Sequence, residues 1–163
     1  MASTVEECTV IIRAEVTIQA PLPVVWHVFS HLEEWKAWNT ACDNCRFTEG
    51  SELTEGACFT FVVTPIIFPV RVEPRVVSCT PGREVVWEGE RLGIRAVHTW
   101  RFVETPSGVV LKSVETFKGP LLALGRLVGV PRRLHRLTVQ MLDQIRQRAE
   151  ACSVVPSQKN PPA

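Results

Sequence analysis

What most constrains this chain is the pattern beyond Pro131. Leu134, Leu137, Met141, Ile145 and Ala149 recur at helical spacing, while Arg132, Arg136, Gln140, Asp143 and Gln147 fall away from that stripe. The spacing predicts one amphipathic helix over residues 131–151, roughly 30 Å long and able to cross a small domain. Ahead of it lies a succession of short alternating segments broken by turn residues. A helix with one apolar face, preceded by strands, buries that face against the sheet those strands form.

The first alternation, residues 10–18, sets Val10, Ile12, Ala14, Val16 and Ile18 against Arg13, Glu15, Thr17 and Gln19. That is a half-buried antiparallel strand. Ala20-Pro21-Leu22-Pro23 ends it and starts a helix, because proline suits the first helical turn. Residues 24–29 and 32–38 read as two short helices with a break near Ser30-His31. Trp26, Phe29, Leu32, Trp35 and Trp38 are their apolar anchors. Six more strands are predicted at 46–49, 57–63, 70–79, 84–89, 94–104 and 109–117. The last two form a hairpin around Thr105-Pro106-Ser107-Gly108.

The expectation is thus an α+β domain: a seven-stranded curved antiparallel sheet wrapped around a long C-terminal helix, with two short helices after the first strand. Residues 1–9 are expected to be a flexible arm, 10–151 the single domain, and 152–163, with three prolines, a disordered tail. A chain of 163 residues, 45% hydrophobic and 21% charged, can sustain one core, and even a core with a hole in it.

Charge and composition exclude several function classes. Eighteen basic and 17 acidic residues leave a net charge of +1, which is no field for nucleic acid. The bases are densest from Arg126 to Arg148, a solvated helix face or a patch for an acidic partner or membrane surface. The longest apolar stretch, 59–72, is interrupted by Thr60, Thr64, Pro65, Pro69 and Arg71, so no integral membrane segment is expected. No basic region or long apolar run opens the chain, so no secretory signal is expected either. The expected location is the cytoplasm, with the six cysteines mainly reduced.

The order of elements and several short stretches then point to a family. They are Ile18-Gln19-Ala20-Pro21 leading into Val24-Val25-Trp26, and Trp35-Lys36-Ala37-Trp38-Asn39. Val85-Val86-Trp87-Glu88-Gly89, His98-Thr99-Trp100-Arg101-Phe102, Gly108 and Glu115-Thr116-Phe117-Lys118-Gly119 follow. In this order and at these intervals the chain resembles the START/birch-pollen-allergen (SRPBCC) superfamily, polyketide cyclase/dehydratase-like branch, from about residue 10 to 151. It departs at Ser30-His31, where members often carry an acidic residue, and at Thr40, where a proline is frequent. The resemblance implies a helix-grip fold around an apolar cavity. Members include lipid and hormone binders, aromatase/cyclases and lipid-transfer proteins, so it does not imply one activity.

Strand parity places residues on the cavity face. Ile94, Ala96, His98, Trp100 and Phe102 form one inward row, and Val109, Leu111, Ser113, Glu115 and Phe117 the next. His98 and Glu115 are expected to meet across the hairpin, as polar anchors or as a catalytic acid/base pair. A purely structural reading has them satisfy each other or the backbone. A buried glutamate would be hard to ionise unless paired, and a paired histidine would be held charged. Ligand contacts are expected from Trp87, Trp100, Phe102, Ser113, Phe59 and Phe61 of the sheet and from Leu134 and Met141 of the helix. The two tryptophans also serve as ordinary core.

His27 and His31 with Cys42-x-x-Cys45 offer zinc-type donors, but in an unusual order, on a helix whose aromatics must face the core. No metal is expected, and a redox role for the CxxC lacks its strand-helix context. No phosphate loop or nucleophile elbow appears, so no cofactor is expected. Residues 120–130, rich in Leu, Val and Gly, read either as a gate at a cavity mouth or as the first turns of the long helix. Three functions remain open: binding, possibly transport, of a small hydrophobic ligand such as a lipid, isoprenoid or aromatic polyketide; a cyclase, aromatase or dehydratase; and an interaction module with a filled core.

Overall fold

The computed structural model describes residues 8–65 and 67–154. In order these form β1 (Thr9–Ile18), α1 (Leu22–Ser30), a 3₁₀ turn (Leu32–Ala37), β2 (Asp43–Glu49), β3 (Cys58–Val63), β4 (Val70–Val72) and β5 (Arg75–Thr80). There follow β6 (Glu84–Arg91), β7 (Ile94–Thr105), β8 (Gly108–Lys118), α2 (Leu122–Leu127) and α3 (Val130–Ser153). The antiparallel sheet runs β1-β8-β7-β6-β5-β3-β2, with β4 paired to β3. It curls around α3, whose Thr138, Met141, Leu142, Ile145 and Ala149 are buried. This is the α+β helix-grip fold.

The structure has eight strands among the described residues where seven were predicted. The single strand expected at 70–79 breaks at Glu73-Pro74. Proline has no N–H to give to a ladder, so the chain bends there. β4 stays with β3 while β5 moves on to β6, and the Pro74 carbonyl accepts a hydrogen bond from Phe59 N at 3.1 Å. The second short helix is a 3₁₀ turn, and α3 begins one residue early and ends two residues late. Thr9, assigned to the arm, opens β1, and Cys152 and Ser153, assigned to the tail, belong to α3. The rest of the predicted arm (1–7) and tail (155–163) lies outside the described residues.

One end of the barrel-like interior is plugged by Phe29 of α1. Its fully buried ring lies 5.0–6.0 Å from the rings of Trp26, Trp35, Trp87, Trp100 and Phe102. Trp35 Nε1 donates to the carbonyls of Val28 and Phe29, both at 3.1 Å, so the 3₁₀ turn is tied to the C-terminal end of α1. Burying a phenylalanine contributes about 1.5–3 kcal/mol, and aromatic pairing adds about 0.5–1.5 kcal/mol. The interior at this end is solid.

Thr40 fastens the segment after the 3₁₀ turn to α3. Its backbone N donates to Gln144 Oε1 at 2.9 Å, and its Oγ1 accepts from Gln140 Nε2 at 2.8 Å and Gln144 Nε2 at 2.7 Å. At the other end, Gly119 passes against the tip of the β6–β7 hairpin. A Cβ there would collide with the Gly93 carbonyl oxygen, so only glycine fits. Among the described residues no helix is long and apolar enough to cross a membrane.

Candidate functional site

Between the concave face of the sheet and α3, away from the Phe29 plug, lies a cavity of about 230 Å³. Phe59, Phe61 and Val63 of β3 form one wall and Trp87 of β6 another. Ile94, Ala96 and His98 of β7 with Glu115 and Phe117 of β8 form the floor. Leu134, Leu137, Thr138 and Met141 of α3 close the top. Trp35, Ala41 and Cys42 complete the inner end, and Pro65, Leu92, Leu122 and Val130 stand at the mouth. The space lies below the roughly 300–1,000 Å³ usual for drug-sized ligands, so it suits a compact one.

The floor carries the chemistry. His98 and Glu115 are direct partners in the β7–β8 register, as parity requires, and His98 Nδ1 lies 3.6 Å from Glu115 Oε1. On the far side of the ring, Nε2 shares a 2.7 Å hydrogen bond with Ser113 Oγ. The imidazole stacks on Trp100 (centroids 4.2 Å, planes 25° apart) and meets the Trp87 ring edge-on at 5.5 Å. Two bulky rings and one hydroxyl therefore hold it in a single orientation.

Burial decides the protonation of the pair. It pushes the Glu115 carboxyl up to about 8 and the His98 imidazole down to about 3. Desolvation disfavours the charged form of each, and a 3.6 Å separation without a hydrogen bond does not offset it. At neutral pH Glu115 is thus mainly a protonated acid and His98 a neutral imidazole. This differs from the charged histidine expected of a tight pair.

Ser113, His98 and Glu115 line up as hydroxyl, imidazole and carboxyl, the order of a hydrolytic triad. Ser113 nevertheless lies behind the imidazole, buried at 1% exposure and absent from the cavity wall. It positions His98 and is not placed to attack a ligand.

The other predicted contacts divide. Phe59, Phe61, Trp87, Leu134 and Met141 line the cavity. Trp100 and Phe102 do not: Trp100 is the fully buried shelf beneath His98, with an indole N–H that has no hydrogen-bond partner, and Phe102 packs into the Phe29 plug. Parity assigned both to the inward face correctly, but at that end the inward face meets solid core. Sequence reasoning missed Trp35, Ala41, Cys42 and Thr138 as lining. Thr138 was legible, four residues past Leu134 and three before Met141 on the same helix face, whereas the other three arrive by tertiary folding.

His27 of α1 and His31, the residue just after that helix, lie near one another, with ring centroids 3.9 Å apart, while Cys42 and Cys45 are buried at 2% and 3% exposure. The four do not converge, and among the described residues no group of three or more His, Cys, Asp or Glu is placed to hold a metal. Burial pushes the Cys42 thiol up to about 12 and Cys45 upward as well, so neither is a ready thiolate. The 120–130 segment forms α2, with Leu122 and Val130 on the cavity mouth and Gly129, in a left-handed conformation, joining α2 to α3.

Comparison with known proteins agrees with this architecture. Solved structures similar to the chain include TTHA0849 from Thermus thermophilus, 17% identical, covering 88% of this chain and 99% of that one at a TM-score of 0.75. The di-domain ARO/CYC StfQ of the steffimycin biosynthetic pathway is 17% identical, covering 90% of this chain and 53% of that one, at a TM-score of 0.73. This chain therefore spans about half the length of StfQ. A norcoclaurine synthase point mutant from Thalictrum, in complex with a transition state analogue, is 15% identical over 90% and 98% of the two chains, at 0.67. Likeness at these identities establishes the fold alone. No curated protein matches the sequence. The family described as polyketide cyclase / dehydrase and lipid transport matches residues 9–150, nearly the whole described chain. The chain belongs to that family.

Proposed function

We propose that the protein binds a compact, largely apolar molecule bearing one carbonyl or hydroxyl group, with Glu115 and His98 as its polar anchors. The observation that carries this reading is an apolar cavity of about 230 Å³ with a single neutral acid–imidazole pair on its floor. A protonated carboxyl donates to a ligand oxygen at little desolvation cost, since both partners are neutral. The open interior counts against an interaction module with a filled core.

A cyclase or dehydratase reading is second. Glu115, pushed up to about 8, sits near working pH and can protonate a carbonyl oxygen while His98 takes the proton that leaves the adjacent carbon. His98 serves poorly as the base, because burial leaves it with little affinity for a proton. That weakness ranks binding ahead of catalysis. The family covers cyclases, dehydrases and lipid transport alike, so membership accommodates either.

The test is native mass spectrometry of protein purified from its own host, alongside His98→Ala and Glu115→Gln. A co-purifying small molecule lost from both variants supports the anchors. Wild-type occupancy in both would exclude them.

A further inference from the structure

The mouth of the cavity has a surface unlike the rest of the molecule. Twelve large apolar side chains are exposed among the described residues, and seven of them fall on three segments that each contribute to or flank the lining of this one cavity. Ile67 and Phe68 (77% exposed) stand on the β3–β4 connection, Leu92 (68%) on the β6–β7 turn, and Leu121, Leu124, Leu127 (84%) and Val128 on and beside α2. The segments are distant in sequence but adjacent in space. Pro65, Leu92, Leu122 and Val130 share the cavity mouth, and Gly119 touches Gly93.

Leu92 is unusual in conformation as well as exposure. It and Gly93 have φ of 53° and 70°, the pair of left-handed residues that a two-residue hairpin of this hand requires. Asn, Asp or Gly normally takes the first position. A leucine there is strained by its branched side chain and gains no burial in return. Only the exposure of the side chain, not the backbone strain, would be relieved if something apolar covered the tip.

The charge beside these residues is mainly positive. From Thr116 to Leu142 the chain carries Lys118, Arg126, Arg132, Arg133 and Arg136 and no aspartate or glutamate. Between β1 and the start of α3, one residue beyond Val130 of the cavity lining, Arg13, Arg132, His135 and Arg136 line a common surface groove beside Pro131. Glu73 and Glu90 lie on the opposite lip, close in sequence to Arg71 and Arg91.

We propose that this rim docks onto an anionic lipid bilayer, so that the cavity takes up its apolar ligand directly from the lipid. The proposal rests on the reading of the cavity as a ligand site. A bilayer fits both halves of the surface: hydrocarbon for the leucines and Phe68, and headgroup phosphates for the flanking arginines. A second copy of this chain fits less well, since its rim would bring the same basic flank against this one.

The test is co-sedimentation of the full chain with phosphatidylcholine vesicles, with and without phosphatidylserine. Wild type is expected to bind phosphatidylserine-containing vesicles at least about tenfold better than phosphatidylcholine alone, and to be released by salt. Phe68→Asp combined with Leu127→Asp should weaken binding at least about tenfold, because charged side chains resist entering the interface. Both residues are exposed, so far-UV circular dichroism and melting temperature should not change. Arg132→Glu with Arg136→Glu should abolish the preference for phosphatidylserine.

Absence of wild-type binding to anionic vesicles overturns the proposal, as does undiminished binding by the Phe68/Leu127 variant. So does concentration-dependent self-association that the same variant abolishes without any vesicle binding. Loading of N-phenyl-1-naphthylamine without vesicles separates the two readings. If the probe loads and vesicles do not bind, docking falls and the cavity reading stands; if vesicles bind and the probe does not load, the reverse holds.

Discussion

His98 and Glu115 face each other across the β7–β8 hairpin with Nδ1 and Oε1 3.6 Å apart, and burial holds both neutral. Their effects on stability have opposite signs. Glu115 keeps its proton in the folded state up to about 8 against an ordinary value of 4.5, so its contribution is full below 4.5 and is lost as pH rises towards 8. His98 titrates near 3 in the folded state against 6.5, so its contribution is full above 6.5 and is lost as pH falls towards 3. Between 4.5 and 6.5 the two slopes cancel.

The expected pH profile of melting temperature therefore has a plateau between about 4.5 and 6.5 and declines on the alkaline side up to about 8. Glu115→Gln should flatten that alkaline decline and, with nothing left to cancel the His98 slope, extend the acid limb from about 4.5 up to about 6.5. Calorimetry of both proteins checks this. An unchanged alkaline limb in the variant would mean that Glu115 is already ionised in the folded protein.

Ser113→Ala removes the hydrogen bond on the cavity-remote nitrogen of a buried imidazole. Leaving a buried polar group unpaired costs about 1–3 kcal/mol. Urea unfolding should show a loss of that size, and any ligand anchored by His98 should bind more weakly because the ring loses its orientation. A loss below about 0.5 kcal/mol would show that the shelf of Trp100 and Trp87 suffices to hold the ring.

Leu137→Trp is expected to fill the cavity from α3, where Leu137 is a half-buried lining residue. Overpacking typically costs about 1–3 kcal/mol, which a domain of this size can absorb. Probe loading should fall at least about tenfold, an apparent loss of about 1.4 kcal/mol in binding. Undiminished loading, with the fold retained by circular dichroism, would place the probe elsewhere.

Gly119→Ala should destabilise the mouth rather than the plug. Its φ is 157°, and a methyl group there would meet the Gly93 carbonyl. A backbone clash of this kind costs on the order of 1–3 kcal/mol. Hydrogen exchange should show faster opening at the β6–β7 turn and at α2, with the amides around Phe29 and Val85 unchanged.

Periodicity made a good part of this legible in advance. Alternation in β7 and β8 identified the inward rows, and the rows named His98, Ser113 and Glu115 before any register was known. A side chain's face in a strand follows from its position modulo two, and its face on α3 from the 3.6-residue repeat. The break at Pro74 was legible in principle, because proline cannot serve a central ladder, but the run of valines around it read as continuous.

The sequence alone therefore determined the order of elements, the polarity of each face and the long helix that must cover the sheet. All of these follow from local spacing and from the need to bury apolar surface. Tertiary structure decided where along that inward face the interior is solid and where it is hollow. Phe29 fills the end occupied by Trp100 and Phe102, so they are core, while His98, two and four residues before them on β7, and its cross-strand partner Glu115 look into open space. It also decided that Thr40 anchors α3, and that the buried pair is neutral. Burial, distance and desolvation depend on groups that meet from remote parts of the chain, and no local spacing encodes them.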